Sequence, residues 1–197
     1  MHLIYKELIT NNKKVDCIKC NTKSCRTTES CHAQRFENED LIQTYHLPQN
    51  QKIVQSAAEL VDNGRAGTLS RLQEIIEFSK SMNYQRIGIA YCYGMEKDTA
   101  LITQIFRESG FKIFPVSCTT GGFKQSDVNK NSKIEKVSCN PLAQAEQINN
   151  EEVDLTITIG LCLGHDILFQ KQIKSACTTL LVKDRVHNHN PINALAN

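Results

Sequence analysis

The sequence predicts an α/β protein: a parallel, flavodoxin- or Rossmann-like sheet of about four strands with flanking helices, preceded by a small cysteine-rich segment. Three observations carry that reading. Beyond residue 83, short apolar runs alternate with amphipathic runs of helical length, the grammar of βαβ units. The short runs are apolar without strict alternation, as strands covered on both faces are. Residues 1–47 share neither pattern and hold four cysteines among many Asn, Thr, Lys and Glu.

The chain is therefore read as a cysteine-rich metal-binding segment, 1–47, and an α/β domain, 48–197. From Gln49 the pattern turns helical, with Ile53, Ala57, Ala58, Leu60 and Val61 on one side, and it breaks at Asn63-Gly64. A second helix follows, capped by Thr68 or Ser70, in which Leu69, Leu72, Ile75, Ile76 and the stretch from Phe78 to Met82 recur at three and four residues. RIGIAY (86–91) reads as a strand, EKDTALITQIFRESG (96–110) as a helix and FKIFPVS (111–117) as a strand. NPLAQAEQINN (140–150) reads as a helix, DLTITIG (154–160) as a strand, GHDILFQKQ (164–172) as a helix and TTLLVK (178–183) as a strand. Right-handed crossovers and a flavodoxin-like order 2-1-3-4 are expected. The polar stretch from Gly121 to Lys136 reads as a mobile insertion or lid.

Composition narrows the functional classes. With 197 residues and 40% apolar content the chain can bury a core without crosslinks, so its nine cysteines need another explanation. A formal charge of +2, from 23 basic and 21 acidic residues, gives no electrostatic case for nucleic acid, and the lack of tryptophan removes a stacking platform. The start, Met1 to Glu7, has no basic region followed by a long apolar run, and Val153 to Gly164 is too short to span a bilayer. The expectation is a cytoplasmic protein with no nucleic-acid or membrane partner. In a reducing compartment, dense cysteine points to metal or thiol chemistry.

The cysteines sort into two groups. Cys17, Cys20, Cys25 and Cys31 lie within fifteen residues, close enough for short loops to wrap one tetrahedral ion or an iron–sulfur cluster. Their spacing matches neither ferredoxin runs nor a paired zinc ribbon, so the alternatives are a structural zinc knuckle and a cluster. His32 is a substitute ligand for Cys31, or only its neighbour. The second group, Cys92, Cys118, Cys139 and Cys162, is separated by 26, 21 and 23 residues. Cys92, Cys118 and Cys162 follow successive strands, while Cys139 precedes Asn140-Pro141, a cap and first-turn pair that should turn helix N–H groups towards its sulfur. All four are expected at the carboxyl edge of one sheet, where open α/β folds bind ligands and adjacent strands stand about 4.8 Å apart. Helix N-termini would favour thiolate there by lowering the cysteine pKa. The competing reading is buried strand-end cysteines acting as small hydrophobes.

Other residues are candidates by position. His165 begins the helix after Cys162, with Asp166 beside it to orient it. Lys183, Asp184 and Arg185, with His187 and His189, follow the last strand and would overlook the same edge. CTTGG (118–122) has the composition of an anion nest without a P-loop lysine. Cys177 is left over and reads as a core cysteine before the last strand.

The stretches YQRIGIAYCYG, PVSC, SCNPLAQAEQIN, DLTITIGLCLGHDILF and TTLLVKDRVHNHNP, together with the opening Cys-x2-Cys-x4-Cys, carry a resemblance. The chain resembles the family of cysteine-rich predicted metal-binding proteins known as domain of unknown function 1847. The resemblance is most specific at CNP-x-AQAE, GLC-x-GHD and KDR-x-x-x-HNP; His187 lies between the fixed positions of the last motif and takes no role from it. What it implies is metal binding, iron–sulfur in the first place, with no reaction attached. The expected protein is thus an iron–sulfur redox protein, with a 4Fe-4S cluster at the sheet edge beside a small-molecule substrate or a redox partner protein. The N-terminal site would act as support or electron relay. One alternative is a zinc-binding structural or metal-handling module without catalysis. Another is a thiol-dependent enzyme with Cys92 or Cys162 as nucleophile and His165 as base.

Overall fold

The computed structural model describes residues 15–31 and 34–196. The readings made for His32 and for the first seven residues fall outside them. The chain divides into two compact units, Met1–Gln51 and Lys52–Asn197.

In the first unit, Cys20 N–H turns back to Cys17 O at 3.4 Å, and Lys23, at φ 47°, leads into one turn of 3-10 helix at Ser24–Arg26 that carries Cys25. Helix α1, Asn38–Tyr45, was not legible as a helix, because it buries no residue and leaves Leu41, Ile42 and Tyr45 exposed. Its support is local: Gln34 Nε2 donates to Asn38 Oδ1 at 2.8 Å, and Glu39 and Asp40 lie in the first turn, where negative charge suits the helix dipole.

Helix α2, Pro48–Val61, leads into the second unit, and α3, Arg71–Ser81, follows it. Of the two caps the sequence offers, Ser70 starts α3: its hydroxyl accepts from Gln73 N–H while Gln73 Oε1 accepts from Ser70 N–H, a reciprocal box that satisfies two free donors. Four strands then alternate with helices: β1 Arg86–Tyr91, α4 Glu96–Glu108, β2 Lys112–Ser117, a short α5 Gln125–Val128, α6 Pro141–Asn149, β3 Leu155–Ile159, α7 Leu163–Gln172 and β4 Ala176–Leu181. The sheet is wholly parallel, in the order β2-β1-β3-β4. This is the α/β architecture and strand order that the sequence predicts.

The two sheet faces have separate cores. Ile87, Ile89, Leu155, Ile157 and Ile159 pack with Ile75 of α3 and Phe106 of α4, while Ala90 packs with Ala145 and Ile148 of α6 and Phe169 of α7. Phe106 and Phe169 are both fully buried, each stabilising the fold by roughly 1.5–3 kcal/mol. Gly88 lets α6 approach β1: a Cβ there would lie 2.6 Å from Ile148 Cγ2. On the same face as Gly88, Thr156 and Thr158 are buried but satisfied, bonding Ser175 at 2.7 Å and Thr179 at 3.0 Å.

Residues 121–136 carry order of their own: Lys124 and Val137 form an antiparallel bridge, Gln125 N–H reaches Lys136 O at 2.9 Å, and Lys124 pairs with Glu135 at 2.7 Å. One local reading is corrected. Cys177 lies within β4 rather than before it, and it is exposed rather than in the core, because β4 is an edge strand whose first residues are uncovered.

Candidate metal centre

The strand order places the topological switch between β1 and β3, whose carboxyl ends lead directly to Cys92 and to Gly160-Leu161-Cys162. Cys92 N–H continues the ladder to Ile159 O at 3.1 Å, and Cys118 N–H does the same to Tyr91 O at 2.9 Å. Gly160, at φ 60°, ends β3, and a Cβ there would meet Met95 Cγ at 2.9 Å, so a side chain is excluded twice over. Cys139 arrives from the other direction. Asn140 caps α6 through Oδ1, accepting from Ala143 N–H at 3.1 Å, while its own N–H donates to Cys118 O at 2.7 Å and ties the two cysteine-bearing loops together. Pro141 begins α6 as the sequence predicts.

Cys118 Sγ and Cys139 Sγ lie 3.4 Å apart. Cys92 and Cys118 are buried, Cys139 and Cys162 half-buried. Tyr93 N–H donates to Cys118 Sγ at 3.4 Å, and an Arg185 guanidinium N–H donates to Cys162 Sγ at 3.2 Å. The Arg185 charge is in turn held more firmly, first by its hydrogen bond to Cys162. Lys183 Nζ and Cys92 Sγ border the same open space, 4.0 Å and 3.8 Å from where a side chain at Gly94 would begin.

Burial decides the acidity of the inner pair. It pushes Cys118 up to about 12, with neighbouring Cys139 and Cys92 adding to the rise against the Tyr93 N–H. Cys139 is also raised, by burial first and by the charges of Cys162 and Cys92, which outweigh Arg185. The sequence expectation of thiolates favoured by helix N-termini fails for both because burial outweighs the contacts that oppose it, Tyr93 N–H on Cys118 and the Cys118 sulfur on Cys139.

The remaining candidates separate. His165 does not receive the Asp166 carboxylate, which accepts from Gln170 Nε2 at 3.1 Å; His165 Nδ1 is buried without a partner. Asp184 is an organiser of the terminal loop: Oδ1 accepts from Val186 and His187 N–H groups at 2.9 and 3.0 Å, and these bonds, His187's first, hold its carboxyl below the usual range. His189 Nδ1 accepts from Asp184 N–H at 3.1 Å, so this histidine closes the loop. In the first unit, Cys20 Sγ receives Lys23 N–H at 3.4 Å, which lowers its pKa. Among the described residues, no three His, Cys, Asp or Glu side chains are gathered to hold one metal ion.

At this edge sequence reasoning missed Gln144 altogether and, at the helix cap Asn140, the side-chain amide. Gln144, fully buried, donates through Nε2 to Tyr91 O at 3.1 Å and Val116 O at 2.7 Å, holding the ends of β1 and β2. Asn140 Nδ2 is buried without a partner beside Gly121, so a donor stands unused near the cysteine loops. Both fall in the stretch CNPLAQ, where a glutamine on an otherwise buried helix face was the available signal.

No solved structure matches the chain. It is similar to an uncharacterized protein of Methanocaldococcus jannaschii, 39% identical over 184 residues that cover 91% of this chain and 92% of that one. The family model described as protein of unknown function, DUF1847, matches residues 26–180, a span that contains all four sheet-edge cysteines. With four-fifths of its length inside that match, the chain belongs to the DUF1847 family.

Proposed function

We propose that Cys92, Cys118, Cys139 and Cys162 hold an iron–sulfur cluster of the 4Fe-4S type and that the protein acts in redox or electron transfer through it. The observation that carries the reading is the arrival of four cysteines from four separate loops at the switch point of a rigid parallel sheet, two of them already in sulfur contact. The donor set fits. Four thiolates bring negative charge, and Arg185 and Lys183 stand beside Cys162 and Cys92 as cations. Tyr93 N–H and Arg185 direct donors at ligand sulfurs, the kind of contact that tunes such centres. Asn140 Nδ2 is a further donor without an acceptor. The thiols are not closed around one point, and a polynuclear cluster accepts ligands set further apart than a single ion does.

A bound cluster would supply one-electron chemistry. The chain's own part is to hold the sulfurs on fixed strand ends, to balance their charge through Arg185 and Lys183, and to bury Cys92 and Cys118 from solvent. Cys17, Cys20, Cys25 and Cys31 are proposed as a separate metal site that organises the first unit, with the Lys23 N–H on Cys20 supporting ligation. Iron, zinc and acid-labile sulfide analysis of the anaerobically purified chain, with its visible spectrum, tests the reading. Iron with matching sulfide and a brown colour supports it. Zinc alone, colourless, favours the metal-handling module instead, and no metal at all removes both.

A further inference from the structure

The contact between Cys118 and Cys139 has chemistry of its own. The sulfurs are 3.4 Å apart, and a disulfide bond is about 2.05 Å, so closure needs an approach of roughly 1.3 Å. The bond from Asn140 N–H to Cys118 O at 2.7 Å already holds the two backbones together. The partners differ in access: Cys139 is half-buried and reachable, while Cys118 is 3% exposed and lies behind it. That is the arrangement of an attacking thiol and a resolving thiol.

We propose that in the metal-free chain Cys118 and Cys139 form a thiol–disulfide exchange site that closes to an intramolecular disulfide on reaction with a low-molecular-weight disulfide. Cys139 as thiolate attacks one sulfur of the small disulfide, forming a mixed disulfide and releasing one thiolate. Cys118 as thiolate then attacks the Cys139 sulfur, forming the protein disulfide and releasing the second. The two protein thiols give up two protons and two electrons; the electrons reduce the small disulfide to two thiols, which take up the protons. Tyr93 N–H, aimed at Cys118 Sγ, stabilises the charge that develops there in the second step. Closure withdraws two of the four ligands assigned above, so that metal loading becomes dependent on thiol redox state; only this consequence rests on the metal reading.

The test uses the full chain, stripped with a chelator under reducing conditions, desalted anaerobically and treated with oxidised glutathione. Trypsin should then yield residues 113–124 joined to 137–171, two hydrogens lighter than the separate peptides and separated again by dithiothreitol. Because 137–171 also contains Cys162, a second digestion with a Glu-specific protease cuts at Glu146, Glu151 and Glu152 and assigns the bridge to Cys139. The expected result is that bridge, with Cys118 and Cys139 both absent from the free-thiol peptides. Separate glutathione adducts on Cys118 and Cys139, a bridge to Cys92 or Cys162, or Cys118 and Cys139 left free would each overturn the proposal. Iron and sulfide uptake by the oxidised chain, before and after dithiothreitol, is read in parallel. A bridge in a chain that takes up metal neither way removes the metal reading alone, and uptake without any bridge removes the exchange site alone.

Discussion

The thiols of Cys177 and Cys118 are both pushed up by burial, to about 11 and about 12, but only Cys118 has a sulfur partner. Part of Cys177 is open to solvent, yet its apolar surroundings desolvate the thiol and the Asp166 carboxylate adds to the rise. Exposure therefore does not speed its attack, and burial slows Cys118 and Cys139 in the same way; what separates them from Cys177 is the second sulfur. A thiol raised from 9.0 to about 11 holds about 100-fold less thiolate at neutral pH, and higher intrinsic nucleophilicity recovers about half of that on a logarithmic scale. Alkylation of Cys177 by iodoacetamide at neutral pH should run about tenfold slower than that of glutathione, with a rate still rising towards pH 11; a rate equal to glutathione's would contradict the assigned environment. Arg185 is the other residue with a sharp expectation. If Cys162 holds metal as proposed, the Arg185 N–H donation to Cys162 Sγ supports a ligand from outside, and replacing such a partner costs roughly 10-fold in metal affinity. Arg185→Ala should lower metal retention against a chelator by about that factor and leave the circular dichroism spectrum unchanged. Neither environment was legible in the sequence: an edge position and a guanidinium reaching back to Cys162 depend on contacts made across the fold.

At the scale of elements, the sequence was informative wherever one residue type decides a boundary. Asn140-Pro141 and Ser70 cap the helices they promised, because a side chain accepting from the third residue on is a local event. Helix α1 was missed for the converse reason, since its eight residues bury nothing and its first boundary residue, Glu37, makes no side-chain cap bond. The internal bonds of 121–136, Lys124 to Val137 and Lys124 to Glu135, were not legible because they join residues eleven or more apart. Gln144 shows how an element can position the site without touching it. Replacing it with Ala takes one donor from each of Val116 O and Tyr91 O, at the half-buried ends of β1 and β2, and removes a fully buried side chain. The expected loss is about 1–3 kcal/mol in urea unfolding, and the ends of β1 and β2, which lead to Cys92 and Cys118, should lose amide protection first. Wild-type stability in Gln144→Ala would mean these carbonyls find other partners.

At the scale of the whole molecule, the strand order was legible because each apolar run is followed by a helix long enough to cross over, and right-handed crossovers leave few arrangements. The common edge of the second cysteine group followed from that order, since residues just after parallel strands share an end. Which sulfurs touch did not follow, because spacing along the chain carries no information on rotamers. The first unit is held differently. Its described residues bury no large apolar side chain, so a metal bound by Cys17, Cys20, Cys25 and Cys31 would be its main organiser. Chelation should therefore raise hydrogen exchange at amides between Cys17 and Leu47 several-fold while β1 and β3 keep their protection; unchanged exchange there would remove the N-terminal site.

The central claim is that the sheet edge, and not the leftover thiol, binds the metal. It is tested most directly by iron and acid-labile sulfide content per chain, measured side by side on anaerobically purified wild type, Cys92→Ser, Cys162→Ser and Cys177→Ser. A hydroxyl in place of a soft thiolate is a poor ligand, so Cys92→Ser and Cys162→Ser should each lose most of the iron and sulfide assigned to the edge with helical content preserved. Cys177→Ser should keep the wild-type complement. Full iron and sulfide in Cys92→Ser, or a depletion in Cys177→Ser as deep as in Cys92→Ser, would contradict the assignment.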